Sequence, residues 1–145
     1  MSIAQKLYEE GLITYHRTDS VNIAASALNK VRDYIKENYG DSYLPEAPRF
    51  YKKTSKLAQE AHEAIRPTNT ETLKVEIPKV NDGNRLYELI WRRFVASQMT
   101  ASVYDETTID VVAIPKGNSV SYLLRASGQT MKFDGLRKVI PSSKI

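Results

Sequence analysis

The feature that most constrains the fold is a change of periodicity near Val103. Before this residue, apolar side chains recur mostly every three or four positions, which is the spacing of amphipathic helices. After it, apolar and polar residues alternate, as they do in strands. Helices and strands that are segregated along a chain are typical of α+β folds. The sequence therefore predicts an α+β fold, with a helical lobe over residues 1–83 and, over residues 84–145, a linking helix and a partial antiparallel β lobe.

Helix-ending and helix-capping residues divide the first lobe. Gly11 is predicted to end a short N-terminal helix, because glycine readily adopts the left-handed conformation found at helix ends. Residues 12–15 then form a brief extended segment. Asp19 and Ser20 carry oxygens that cap helices, so a second helix is predicted from there to about Tyr39.

The rest of the helical lobe alternates between loops and helices. Residues 41–56 form a basic loop in which Phe50 and Tyr51 are interleaved with lysines and arginines. A short helix over residues 57–65 is predicted to stop before Pro67, since a residue that precedes proline avoids the helical conformation.

The second lobe opens with the strongest helical pattern, over residues 84–102. Its apolar residues lie on more than one face, which indicates burial between two lobes. Three strands are predicted to follow, over residues 107–114 and 120–125 and around Met131, with Ser127-Gly128 as a break before the third. So small a sheet would leave an open edge, which favours a piece of a longer protein.

Composition excludes several classes of protein. No cysteine is present, so this chain forms neither disulfides nor thiolate zinc sites, as is usual in a reducing cytoplasm. No apolar run approaches the roughly 18 residues that span a membrane. The net charge of +4 permits a polyanionic partner without establishing one. We therefore expect a soluble cytoplasmic protein.

A polar cluster directly follows Tyr15 and contains Arg17, Thr18, Asp19 and Ser20. Residues two apart in an extended segment point to the same side, so Tyr15 and Arg17 can act together. A guanidinium there could hold a phosphodiester, and the predicted helix N-terminus would add backbone N–H groups that bind phosphate. The alternative is a core tyrosine beside a surface Arg17–Asp19 ion pair.

His62 and Arg66 form a second candidate pair. Four residues apart, they share a face if the helix continues to Arg66, and they could then bind a phosphate. No metal site is predicted, because the pattern H-E-x-x-R lacks the second histidine of H-E-x-x-H. The alternative is a histidine at a helix end among solvated charges.

Four segments resemble type IA DNA topoisomerases, most closely the bacterial topoisomerase I branch. They are G-L-I-T-Y-H-R-T-D-S from Gly11, H-E-A-I-R-P-T from His62, the helix from Tyr87 to Ala101, and the strands from Arg125 to Gly135, in the order of the family. A topoisomerase III or reverse gyrase parent is also compatible with these motifs.

The resemblance implies that Tyr15 attacks a single DNA strand, forms a 5′-phosphotyrosyl link and later reseals the strand without ATP. Arg17 would orient the phosphate and His62 would contact the strand. The remaining DNA-binding residues would shape the site; they are Thr18, Asp19, Ser20 and Arg66.

The resemblance also implies partners outside this chain. The family's Mg²⁺ is bound by an acidic toprim domain that has no counterpart in this sequence, and further gate segments are absent, so the isolated chain is expected to be inactive. Two alternatives are a tyrosine recombinase or type IB enzyme, and a non-catalytic module that binds single-stranded nucleic acid. The first is disfavoured because its tyrosine comes late in the chain.

Overall fold

The computed structural model describes residues 2–51, 62–73, 75, 82–117 and 120–141. Its helices are α1 (Ser2–Glu9), α2 (Ala25–Tyr39) and α3 (Gly83–Ser97), with short 3-10 turns at Asp41–Tyr43 and Gly135–Lys138. Two strands, β1 (Val103–Ala113) and β2 (Tyr122–Phe133), pair antiparallel. This arrangement confirms the predicted α+β fold. Within the described ranges, no helix is both long and apolar enough to cross a bilayer.

The core lies among the three helices and is centred on Trp91 of α3, which is 1% exposed. Its indole Nε1 donates to the carbonyl of Thr70 at 2.7 Å, and Tyr34 of α2 packs edge-on against it with ring centroids 5.6 Å apart. An indole that is buried and also hydrogen-bonded fixes both the depth and the rotation of its helix. The other fully or largely buried members of the cluster include Leu7, Ile13, Val31, Ile35, Tyr87, Val95 and Met99.

The two strands form a ribbon with exposed side chains along nearly its whole length. Ile109 and Leu124 are about as exposed as the polar residues beside them. Directly opposite in register, Asp110 accepts two hydrogen bonds from Arg125, at 2.6 and 2.7 Å. Burial therefore contributes little to this ribbon within the described residues, and cross-strand pairs hold its register.

Tertiary contacts anchor the base of the ribbon to the helices. The Tyr43 hydroxyl donates to an oxygen of Asp134 at 2.6 Å, and its ring lies 4.9 Å from that of Phe133. The hydrogen bond from Tyr43 holds the pKa of Asp134 below its usual value. Leu136 donates its backbone N–H to the carbonyl of Thr100 at 2.9 Å.

Two predicted helix boundaries are wrong. Helix α2 begins at Ala25 and not at Asp19 or Ser20, because both side chains bond outside any helix. Helix α3 ends at Ser97 rather than at residue 102. There the carboxamide of Gln98 turns to the backbone of Arg49 and holds the preceding loop.

The predicted helix over 57–65 is also wrong in its described part, residues 62–65. Residues 57–61 lie outside the described residues, and residues 62–65 are not helical. The third predicted strand does not exist as a separate element, since β2 runs unbroken through Ser127 and Gly128. Gly128 pairs in register with Thr107, so it does not interrupt the ladder.

Replacing Gly135 by alanine should destabilise the fold. Gly135 has a φ of +47°, and an added Cβ would lie 2.6 Å from the backbone oxygens of Thr100 and Ala101. The left-handed conformation alone costs an L-residue about 1–2 kcal/mol, and the backbone clash adds to this cost. Urea unfolding should therefore show a loss above about 1 kcal/mol.

Gly128→Ala is the matched control, because an added Cβ at this strand position has no neighbour within 4 Å. Its effect should remain below about 1 kcal/mol. Equal losses for the two variants would contradict the packing described at Gly135.

Candidate active site

The candidate site is built on a short antiparallel pairing between the segment before Tyr15 and the segment after His62. Ile13 pairs with Pro67, and the backbone N–H of Thr14 donates to the carbonyl of Arg66 at 2.9 Å. The Thr14 hydroxyl donates to the carbonyl of Ala64 at 2.8 Å and accepts from the Arg66 N–H at 2.9 Å. This pairing places the two predicted site segments side by side.

Asp19 contacts two of the predicted site residues, Arg17 and His62. One carboxylate oxygen lies 2.9 Å from Nη2 of Arg17, and the other lies 2.6 Å from Nε2 of His62. Partial burial alone would raise the pKa of Asp19, but hydrogen bonds from Arg17 and His62 outweigh it and the pKa is lowered. Asp19 is therefore a carboxylate at neutral pH, and it sets the position of both neighbours.

Both ring nitrogens and the backbone carbonyl of His62 have hydrogen-bond partners. Its Nε2 faces the Asp19 carboxylate, and its Nδ1 lies 3.0 Å from the carbonyl of Glu63. Its own carbonyl accepts a hydrogen bond of 2.6 Å from the Ser20 hydroxyl. Carboxylate and carbonyl oxygens only accept hydrogen bonds, so the ring donates from its protonated nitrogen. These contacts fix the position of the His62 ring beside Asp19.

Arg66 is directed toward Glu63 rather than toward His62. Its Nη2 and Nε lie 2.7 and 3.2 Å from the two Glu63 oxygens, and one of these oxygens also accepts the Ala24 N–H at 2.6 Å. Burial raises the pKa of Glu63, but the bonds from Arg66 and Ala24 outweigh it and the pKa is lowered. Glu63 thereby satisfies a backbone donor at the start of α2. The predicted shared helix face of His62 and Arg66 is wrong, because residues 62–66 are not helical.

Tyr15 is half exposed, at 51%. Its ring packs edge-on against Tyr8 of α1 and against His16, with centroids 5.3 and 5.1 Å away. The alternative of a core tyrosine is therefore wrong. Helix α2 begins only at Ala25, and the Ala24 N–H before it is already bonded to Glu63. The phosphate site predicted at a helix end next to Asp19 and Ser20 is therefore wrong. Thr18 is exposed.

Three residues of this region were not singled out from the sequence as site residues. Thr14 joins the two segments, Glu63 orients Arg66, and Tyr8 packs on Tyr15. A signal existed only for Glu63, which lies three residues before Arg66 and has the opposite charge. Among the described residues, no group of three or more histidine, aspartate or glutamate side chains could hold a metal ion.

Comparison with known proteins places this arrangement in a family. The sequence model of the family described as DNA topoisomerase matches residues 1–145. The chain is 50% identical over 143 residues to DNA topoisomerase 1 of Pasteurella multocida, and 46% identical to that of Escherichia coli K12. Each alignment covers 98% of this chain and 16% of the relative.

A solved structure of full-length topoisomerase I from Thermotoga maritima is similar with a TM-score of 0.73 and 36% identity, over 99% of this chain and 23% of that one. The chain therefore belongs to the bacterial type IA DNA topoisomerases. It spans about a sixth of the length of the curated relatives that it matches.

Replacing Glu63 by glutamine should weaken the fold and reduce its sensitivity to acid. Because the folded-state pKa of Glu63 is lowered, its contribution is present above the ordinary value of 4.5 and is lost as pH falls through the folded-state value. The variant should lose about 1–2 kcal/mol of unfolding free energy at neutral pH. Chemical unfolding at a series of pH values measures both effects.

Glu71→Gln is the control for this measurement, since Glu71 is exposed. It should leave the stability and its pH profile unchanged. An acid profile for Glu63→Gln that matches the unsubstituted chain would show that Glu63 does not hold the segment as described.

Proposed function

We propose that this chain carries the nucleophilic tyrosine of a DNA topoisomerase that cuts and rejoins one DNA strand. The observation that carries the proposal is the position of Tyr15, which is half exposed and lies two residues from an arginine that Asp19 orients. The family membership supports DNA as the substrate. In this account a second strand passes through the cut before it is resealed, which relaxes negative supercoils in the cytoplasm.

In the proposed reaction the Tyr15 phenolic oxygen attacks the phosphorus of a phosphodiester. A bond from phosphorus to tyrosine forms, and the bond from phosphorus to the 3′ oxygen breaks. The phenol gives up one proton and the departing 3′ oxygen takes one up, so no proton is consumed overall. The product is a 5′-phosphotyrosyl link and a 3′-hydroxyl. Since one phosphodiester is exchanged for another, the reversal needs no ATP.

The residues around Tyr15 supply positive charge and position in this proposal. Arg17 would bind non-bridging phosphate oxygens, for which its planar guanidinium is suited, while Asp19 fixes the direction of its approach. His62 would contact the same strand, and a phosphate oxygen brought to its ring would compete with Asp19 as the acceptor. Ser20 holds the His62 backbone, and Thr18 is exposed for contact with the strand.

Arg66 has a different role in the proposal. Its guanidinium is taken up by Glu63 and by the carbonyl of Pro67, so it would act on DNA by holding the segment after His62 in place. Mg²⁺ would be supplied through the toprim domain of the same polypeptide and would add positive charge near the phosphate. We expect this chain alone to lack cleavage activity, because that domain lies outside it.

Replacing Tyr15 by phenylalanine in the complete polypeptide should abolish covalent attachment to DNA. The substitution keeps the ring and its packing and removes only the attacking oxygen. A single strand labelled at its 3′ end, incubated with Mg²⁺ and then denatured, should leave its label on the unsubstituted protein and none on Tyr15→Phe. Gel electrophoresis of the labelled protein provides the measurement.

Tyr8→Phe is a matched control, because Tyr8 is also exposed and touches Tyr15. It should retain the adduct. An adduct that survives in Tyr15→Phe would refute the role of Tyr15, and DNA binding without any adduct in the unsubstituted protein would favour a non-catalytic binding module.

A further inference from the structure

A small groove lies between residues 21–23, which directly follow Ser20 of the proposed site, and the loop that carries Arg49, Phe50 and Tyr51. Leu28 of α2 lines one part of it, and its volume is about 230 Å³. Pockets for drug-sized ligands measure roughly 300–1,000 Å³, so this groove is of a size to take one planar group rather than a whole ligand.

The loop that presents the aromatic side chains is firmly anchored. Gln98 is fully buried, and its carboxamide accepts the N–H of Arg49 and donates to the carbonyl of Arg49, both at 3.0 Å. The Tyr51 hydroxyl donates to the carbonyl of Ser97 at 2.7 Å. Phe50 lies between these anchors and is 81% exposed. The hydrogen bonds on both sides of Phe50 fix its backbone, so its aromatic ring is held in contact with solvent.

The charge and the position of the groove indicate what it binds. Arg49 is its charged lining residue, and none of the described residues that line it is acidic. Val21 directly follows Ser20, whose hydroxyl holds His62, so the groove adjoins the proposed site along the chain. A cation beside exposed aromatic rings is the combination by which proteins hold unpaired nucleotides, with the base stacked and its phosphate neutralised.

We propose that this groove binds one unpaired nucleobase of the strand that Tyr15 attacks. Phe50 would stack on the base, Tyr51 would line the same face, and Arg49 would neutralise a neighbouring phosphate. Every base has an aromatic face, so this contact would accept all four bases and would hold the strand in place without reading its sequence. The inference rests on the proposed function, because it requires a single strand at the site.

The test uses the complete polypeptide, with a fluorescent single-stranded oligothymidylate as the probe and binding measured by anisotropy without Mg²⁺. Phe50→Ala should weaken binding on the order of tenfold, as expected for the loss of one stacked base. Phe50→Trp should retain the affinity, whereas Phe50→Leu, which keeps apolar bulk without an aromatic face, should lose it. Leu89→Ala, an exposed apolar position on α3, is the control and should have no effect.

The charge contribution is measured separately through salt. Arg49→Ala should reduce the slope of log Kd against log salt concentration by about 1, the signature of one lost phosphate contact. Its backbone bonds to Gln98 do not depend on the side chain, so the loop is retained. Arg85→Ala removes an exposed arginine outside the groove and should leave the slope unchanged.

Two outcomes would overturn the inference. Unchanged affinity and salt slope in the Phe50 and Arg49 variants would show that the strand does not enter the groove. A lowered melting temperature of Phe50→Ala without DNA, at unchanged affinity, would show that another part of the polypeptide covers it. In both cases a Tyr15-dependent adduct would leave the proposed function intact, whereas failure of the adduct in the unsubstituted protein would contradict that function itself.

Discussion

The rest of the site depends on the short antiparallel pairing in which Thr14 bonds to Ala64 and Arg66. Two segments about fifty residues apart in sequence meet there, and the Thr14 hydroxyl both donates and accepts across the junction. Buried Ile13 ties this pairing to the helical core. Without this pairing His62 would not lie beside Asp19, and the two sequence motifs would not form one site.

Two carboxylates connect the polar residues of the paired segments. Asp19 holds Arg17 and His62, and Glu63 holds Arg66 and the start of α2. Charged groups that are fixed before a ligand arrives need little reorganisation when it binds. In the proposed reaction the phosphate meets Arg17 and His62 where Asp19 already holds them, and it replaces Asp19 as their oxygen acceptor. Tyr15 lies two residues before Arg17 in the chain, and its exposed ring is held by packing against Tyr8 and His16.

The sequence rules were correct for elements whose ends are set by neighbouring residues in the chain. Gly11, with a φ of +71°, follows α1 as expected, and the change to strands near Val103 is correct. The errors arose where tertiary bonds override local preference. Ser20 has a capping side chain, but it bonds to the His62 backbone, and Gly128 fits within an exposed strand. The sequence was sufficient to select the Tyr15 and His62 segments. That Asp19 bonds to His62 could not be predicted, because the two residues come together only in the folded chain.

The most direct test of the central claim, that the paired segments present Tyr15 to DNA, is to map the DNA-linked residue in the complete polypeptide. Covalent complexes trapped on a short single strand would be digested with nuclease and protease, and the nucleotide-bearing peptide would be identified by mass spectrometry. The account predicts a nucleotide on Tyr15, located by fragmentation of its peptide, and on none of the other eight of the nine tyrosines of this chain. A nucleotide on Tyr8, or on a residue outside this chain, would contradict it.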